Sequence, residues 1–185
     1  MRLLLVEDEK DLGVSIHNAL TKRDYIVDWV EDGQTAWDYL NEELLSLSIN
    51  AEVLLSSHIP DQSCFYIQGN ESQIYRMLLN VVGNAIKYTP VGGEVKINLL
   101  ANNNQGIITI QDTGIGIPAV DVPHIFDRFY RVNSDRSRNT GGSGLGLAIA
   151  LAIVQTHQGK LEVESLVDQG SKFTVILPLI SKINK

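Results

Sequence analysis

The apolar positions along the chain change period several times, and each change marks an element. Leu3, Leu4, Leu5 and Val6 form a continuous apolar run closed by Glu7, Asp8 and Glu9, the pattern of a short buried strand over residues 2–6. Leu12, Ile16, Ala19 and Leu20 then recur at helical spacing, and residues 25–30 read as a second strand. From Gly33 onward Trp37, Leu40, Leu44 and Leu47 fall on one helical face with no Gly or Pro between them, which predicts one uninterrupted helix. Short strands are expected over 52–56 and 65–68, separated by the turn residues Pro60 and Asp61. The clearest helix spans 71–88, where Ile74, Met77, Leu78, Val81, Val82, Ala85 and Ile86 make an apolar stripe that Pro90 ends. Residues 94–100 and 107–111, flanking the polar stretch 101–106, read as an antiparallel hairpin. A helical stretch over 121–130, a polar segment over 133–140, a helix over 144–157 and strands over 160–165 and 172–178 complete the pattern, an α/β arrangement.

With 185 residues, 44% of them apolar, the chain can bury one sizeable core and a small appendage. Its formal charge of −7 argues against a general nucleic-acid binder, which would need a basic face, so any polyanion must be held by a few local cations. The single cysteine, Cys64, excludes an internal disulfide framework and a thiolate metal cluster, which makes the cytoplasm the expected compartment. No apolar run approaches the ~20 residues of a membrane helix, and the start of the chain does not follow a signal-peptide pattern.

Three polar features interrupt this architecture. On the 71–88 helix, Asn80, Asn84 and Lys87 lie at i, i+4 and i+7, so two amides and an ammonium project from one side. Amide oxygens serve as hard ligands for Mg²⁺ shared with phosphates, and a lysine supplies a compact countercharge. After the 107–111 strand comes DTGIGIP over 112–118. There Gly114 and Gly116 permit positive φ and close approach to a ligand, and Asp112 can accept a hydrogen bond from an exocyclic amine. In TGGSGLGLAIA over 140–150 a glycine run opens into a hydrophobic helix, whose free N-terminal amides suit an anion. That spacing matches neither the Walker pattern, which needs G-K-S/T, nor the Rossmann order.

Taken in order, these features resemble the ATP-binding catalytic domain of sensor histidine kinases, within the ATPase superfamily that includes gyrase and Hsp90. LLNVVGNAIKYTP (78–90) corresponds to the N box, DTGIGIP to the first glycine box, IFDRFYR (125–131) to the F box and GGSGLGLAIA to the second glycine box. The resemblance covers about residues 42–180. It implies a two-layer α/β fold, a mixed sheet covered by helices on one face, and a ligand, Mg-ATP. It also implies roles: Asp112 on the adenine amine with Ile117 and Tyr88 against the base, Asn84 with Asn80 on Mg²⁺, and Lys87 on the phosphates. Arg131 and Arg128 would add positive charge. Gly142, Ser143, Gly144, Leu145, Gly146 and Leu147 would join the ATP site, their glycines letting 132–143 close as a lid. Phosphoryl transfer by such a domain depends on positioning and charge neutralisation, so it needs no nucleophile of its own.

Residues 1–41 have a different character. MRLLLVEDEKDL and VDWVEDGQTAWDYL resemble the start of a response-regulator receiver domain, with Glu7 and Asp8 at its acidic pair. The resemblance stops after the second helix, and Ser56 stands four residues before Pro60, where a receiver would need its acceptor aspartate. His17, His58, His124 and His157 all fall outside the acceptor pattern of a dimerisation helix. The expectation is a fusion or chimera of a receiver-like βαβα piece (1–41) with a kinase catalytic domain (42–185). It would bind ATP, pass phosphate to a histidine supplied in trans, and pair as a homodimer through residues 1–41. The alternative is an ATP-binding interaction module without phosphotransfer. A hydrolase of the Hsp90 or gyrase kind is disfavoured because Asn80 stands where those enzymes place a water-activating glutamate.

Overall fold

A computed structural model describes residues 2–6, 26–30, 33–58, 66–102, 104–132 and 143–180, with side chains from residue 42 onward. The backbone falls into two compact units, Met1–Glu43 and Leu44–Lys185. In the first, β1 (Arg2–Val6) and β2 (Ile26–Val30) pair in parallel, Arg2 with Ile26 through Val6 with Val30. A parallel pair requires a long crossover; the helix expected there, with Glu7 and Asp8, lies outside the described residues. Helix α1 (Gly33–Ala51) is continuous, as its lack of breakers predicts. Its buried positions after residue 43 are Leu44 and Ser48, whereas Leu47 is 41% exposed, so the face expected from Leu44 and Leu47 is rotated. Ser48 tolerates burial because its hydroxyl donates to the Leu45 carbonyl at 2.9 Å.

The second unit is built on a five-stranded mixed sheet. Its strands β3 (Leu54–His58), β4 (Glu94–Asn102), β5 (Gln105–Asp112), β6 (Lys160–Leu166) and β7 (Gly170–Pro178) run in the order β3-β4-β5-β7-β6. Only β3 and β4 are parallel. The strand expected over 65–68 shrinks to a single bridge between Tyr66 and Ile180, because Gly69 and Asn70 turn the chain into the next helix. Alternation sets the inner face: Ile97, Ile110, Phe173 and Val163 form one cross-strand row, and Leu99, Ile108, Val175 and Leu161 the next. Helices α2 (Glu71–Tyr88) and α3 (Gly146–Thr156) pack on each other and on the sheet.

Helix α2 carries the core. Asn70 caps its start by accepting the Gln73 N–H at 3.0 Å. At the other end Pro90 holds Thr89 extended, and the Thr89 hydroxyl donates to the Ala85 carbonyl at 2.7 Å. Between them Met77, Leu78, Val81, Val82 and Ile86 are buried, each larger side chain contributing about 1.5–3 kcal/mol. His157 joins the two helices: Nδ1 donates to the Ile153 carbonyl at 2.8 Å, and Nε2 accepts the Asn70 N–H at 3.1 Å. The helical stretch expected over 121–130 is a single 3-10 turn, Val122–His124, since Phe129 at φ 67° breaks any right-handed continuation. No helix among the described residues is long and apolar enough to cross a membrane.

Candidate functional site

At one end of the sheet the inner row turns from apolar to polar. Asp112 closes β5 with the same parity as Ile108 and Ile110, so it faces the helices and is only 5% exposed. Its Oδ1 accepts the Gly114 N–H at 2.8 Å and the Ser171 N–H at 3.1 Å. Burial holds its carboxyl above the ordinary range, and the two amide bonds pull it partly back. Neither bond uses Oδ2. The loop that follows is clamped from two sides. The Ile115 N–H donates to the Tyr88 carbonyl at 3.2 Å, the Asp168 N–H to the Ile115 carbonyl at 2.9 Å, and the Ile117 N–H to Ser165 Oγ at 2.8 Å. Gly116, at φ +67°, cannot be replaced freely, because a Cβ there would collide with the Leu166 carbonyl.

These elements enclose a cavity of 530 Å³. Asn80, Asn84, Lys87 and Tyr88 line it from α2, and Asp112, Gly116 and Ile117 from the loop after β5. Arg131 reaches it from the turn after the 3-10 helix, and Ser143, Gly144, Leu145, Gly146 and Leu147 from the start of α3. Two expected residues do not line it. Gly114 is the turn itself, its amide committed to Asp112. Arg128 is exposed, since the chain reverses at Phe129 and brings Tyr130 and Arg131 to the wall instead. Gly142 and most of the expected lid lie outside the described residues. The sequence reading missed Arg76, Tyr130, Ser171, Ile125 and Phe173 on the wall; only Arg76, four residues before Asn80, carries a periodic signal that could have found it.

The wall is chemically mixed. Ile117, Ile125 and Phe173 line it with Asp112 and with Tyr88, whose ring is 46% exposed and has Lys87 Nζ 5.4 Å from its centroid. The cations Lys87 and Arg131 belong to the same wall. Partial burial, then the nearby Arg131, hold Lys87 below the ordinary lysine range, a repulsion that a bound polyanion relieves. Asn80 Nδ2 is a buried donor without a partner among the described residues. Its Oδ1 lies 3.0 Å from where a Cβ on Gly146 would sit, a tight contact that a larger residue there would press on. Helix α3 has no side-chain cap, which leaves its first amides for an anion. No three His, Cys, Asp or Glu among the described residues cluster as a metal site. A cation here would therefore rest on amide oxygens together with a ligand's own phosphates.

Among the described residues, the histidines offer no second centre. His58 and His124 are exposed, His124 pairing with Asp127 at 3.1 Å. His157 is spent on the α2–α3 junction, and His17 lies outside the described residues.

Known proteins share this arrangement. Residues 69–181 match the family described as histidine kinase-, DNA gyrase B-, and HSP90-like ATPase. The chain is 54% identical over 142 residues to the sensor histidine kinase RppB of Synechocystis sp., a match over 77% of this chain and 31% of that protein. To the sensor histidine kinase WalK of Bacillus subtilis it is 42% identical over 123 residues, 65% of this chain and 20% of that protein. It thus spans about a third or less of those relatives' length. Among solved structures, the mycobacterial sensor histidine kinase MprB superposes with a TM-score of 0.67 at 29% identity, covering 78% of this chain and 95% of that one. ShkA, solved full-length in complex with AMPPNP, shares the fold with a TM-score of 0.67 at 24% identity, over 81% of this chain and 30% of that one. The chain therefore belongs to the histidine kinase-, DNA gyrase B-, and HSP90-like ATPase family and carries the ATP-binding catalytic domain of the histidine kinase type.

Proposed function

We propose that residues 42–185 hold Mg-ATP in this cavity and donate its γ-phosphoryl group to a histidine on another module. The observation that carries the reading is the placement of buried Asp112 at one end of the cavity and the amide and cation row of α2 along it. Asp112 Oδ2 accepts from the adenine amine, and Tyr88 and Ile117 flank the ring. Asn80 and Asn84 would hold Mg²⁺ through their side-chain oxygens, and the unpartnered Nδ2 of Asn80 is a donor suited to a phosphate oxygen rather than to the cation. Lys87, Arg131 and the first amides of α3 meet the phosphates. Mg²⁺ held by Asn80 and Asn84 would supply positive charge to offset that of the phosphates. The protein's own work is to orient the nucleotide and keep its terminal phosphate accessible, because transfer to a positioned nucleophile gains most of its rate from proximity.

Residues 1–41 we read as a receiver-like piece joined to this domain, by fusion or as a chimera, with Glu7 and Asp8 left without an acceptor aspartate. The parallel pairing of β1 with β2 supports that reading. A two-stranded sheet has two open edges, which a second copy of the chain would cover in a dimer. The test is incubation of the purified chain with γ-labelled ATP, alone and with a separate histidine-bearing dimerisation domain. Acid-labile label is expected only on the added domain. Label on the chain itself would refute transfer in trans, and bound nucleotide with no label in either arm would favour the interaction-module alternative.

A further inference from the structure

The polar row of α2 extends one turn N-terminal of Asn80. Arg76 lines the cavity with Asn80, Asn84 and Lys87, at i, i+4, i+8 and i+11, so the four share a face. The other end of the helix belongs to the base, because the loop carrying Asp112 is bonded to the Tyr88 carbonyl. At 1.5 Å per residue, Arg76 stands about 18 Å along the axis from Tyr88, with the amide row between them.

Among the described residues no acidic group is paired with Arg76. Its helical neighbours three and four residues away are Ser72, Gln73, Leu79 and Asn80, none of them acidic. Among the described residues its guanidinium makes no hydrogen bond or ion pair. One turn along, Asn80 Nδ2 is likewise without an acceptor. A fork of five N–H donors and a buried amide donor thus stand together at the end of the cavity farthest along α2 from the base, in a chain whose net charge is −7. Planar guanidinium matches two phosphate oxygens at once.

We propose that Arg76, with Asn80 Nδ2 beside it, binds the terminal phosphate and sets the preference for ATP over ADP. The assignment rests on the reading that places the base at Asp112. A group that touches only the last phosphate strengthens ATP binding and leaves ADP binding nearly unchanged.

The experiment is calorimetric titration of the full chain with ATP and with ADP, each with Mg²⁺, for the wild type, Arg76→Gln, Arg76→Lys and Asp112→Asn. Glutamine keeps helix propensity at an exposed position, so the fold survives. Arg76→Gln should weaken ATP by about tenfold and ADP by less than about twofold. Arg76→Lys should recover part of the loss, since it keeps the charge without the fork. Asp112→Asn should weaken both nucleotides alike. Equal losses of ATP and ADP in Arg76→Gln, or no loss of either, would overturn the terminal-phosphate assignment. Were Arg76→Gln to discriminate while Asp112→Asn bound both normally, the assignment would stand and the base site would fall.

Discussion

At Asp112 stability and function pull in opposite directions. Burial raises the folded-state pKa of its carboxyl, so the fold binds that proton more tightly than the unfolded chain does. The resulting stabilisation is full below the unfolded-state pKa and is lost as pH rises through the raised folded value, the reverse of a salt-bridged carboxylate. At neutral pH the carboxylate therefore costs stability and is kept for its ligand. In Asp112→Asn the side-chain oxygen can still accept the Gly114 and Ser171 amides. Urea denaturation at pH 7 should show equal or greater stability, with the advantage of the variant shrinking as pH falls. ATP affinity should drop by about tenfold to a hundredfold, because the amide can turn only a donor toward the base amine. A variant destabilised at pH 7 would show that the charge supports the fold rather than the ligand.

Among the elements, the junction of α2 and α3 fixes how the two helices that line the site meet. The amide row needs α2 fixed in rotation and depth, and the glycine-led start of α3 needs its far end anchored. His157 does both by bonding one ring nitrogen to each helix terminus, and Gly69 is packed so tightly against the ring that any Cβ would strike it. Removing the ring opens a void and strands the Asn70 N–H. His157→Ala should lose about 2–4 kcal/mol in urea denaturation. An unchanged midpoint would mean that apolar packing alone holds the junction.

For the whole molecule, the division into Met1–Glu43 and Leu44–Lys185 sets how far a bound nucleotide reaches. Every cavity residue named above belongs to the second unit. At a hundred times its Kd, ATP should stabilise that unit by about 2.7 kcal/mol. Amide exchange in β4, β5, β7 and α2 should slow accordingly, while β1 and β2 exchange at their unliganded rate. Equal protection of β1 and β2 would show that the two units unfold as one.

Local pattern carried much of this protein. The 3.6-residue stripe fixed α2 at Glu71–Tyr88 because both its ends have local causes, Asn70 and Pro90, and the same period placed Asn80, Asn84 and Lys87 on one face. Alternation placed β5 and, by parity, turned Asp112 inward. Where the signal was local but conflicting, the reading slipped: Leu47 proved exposed and Ser48 buried, and the 121–130 stretch kept only one 3-10 turn. Tertiary structure alone decided which distant groups meet. Ser171 joins Asp112 only through the β5–β7 register, and Ser165 holds the Ile117 amide only because the β6–β7 turn folds over the loop. Those contacts link positions dozens of residues apart. Their geometry follows from strand register and loop closure, which no periodicity along the chain encodes.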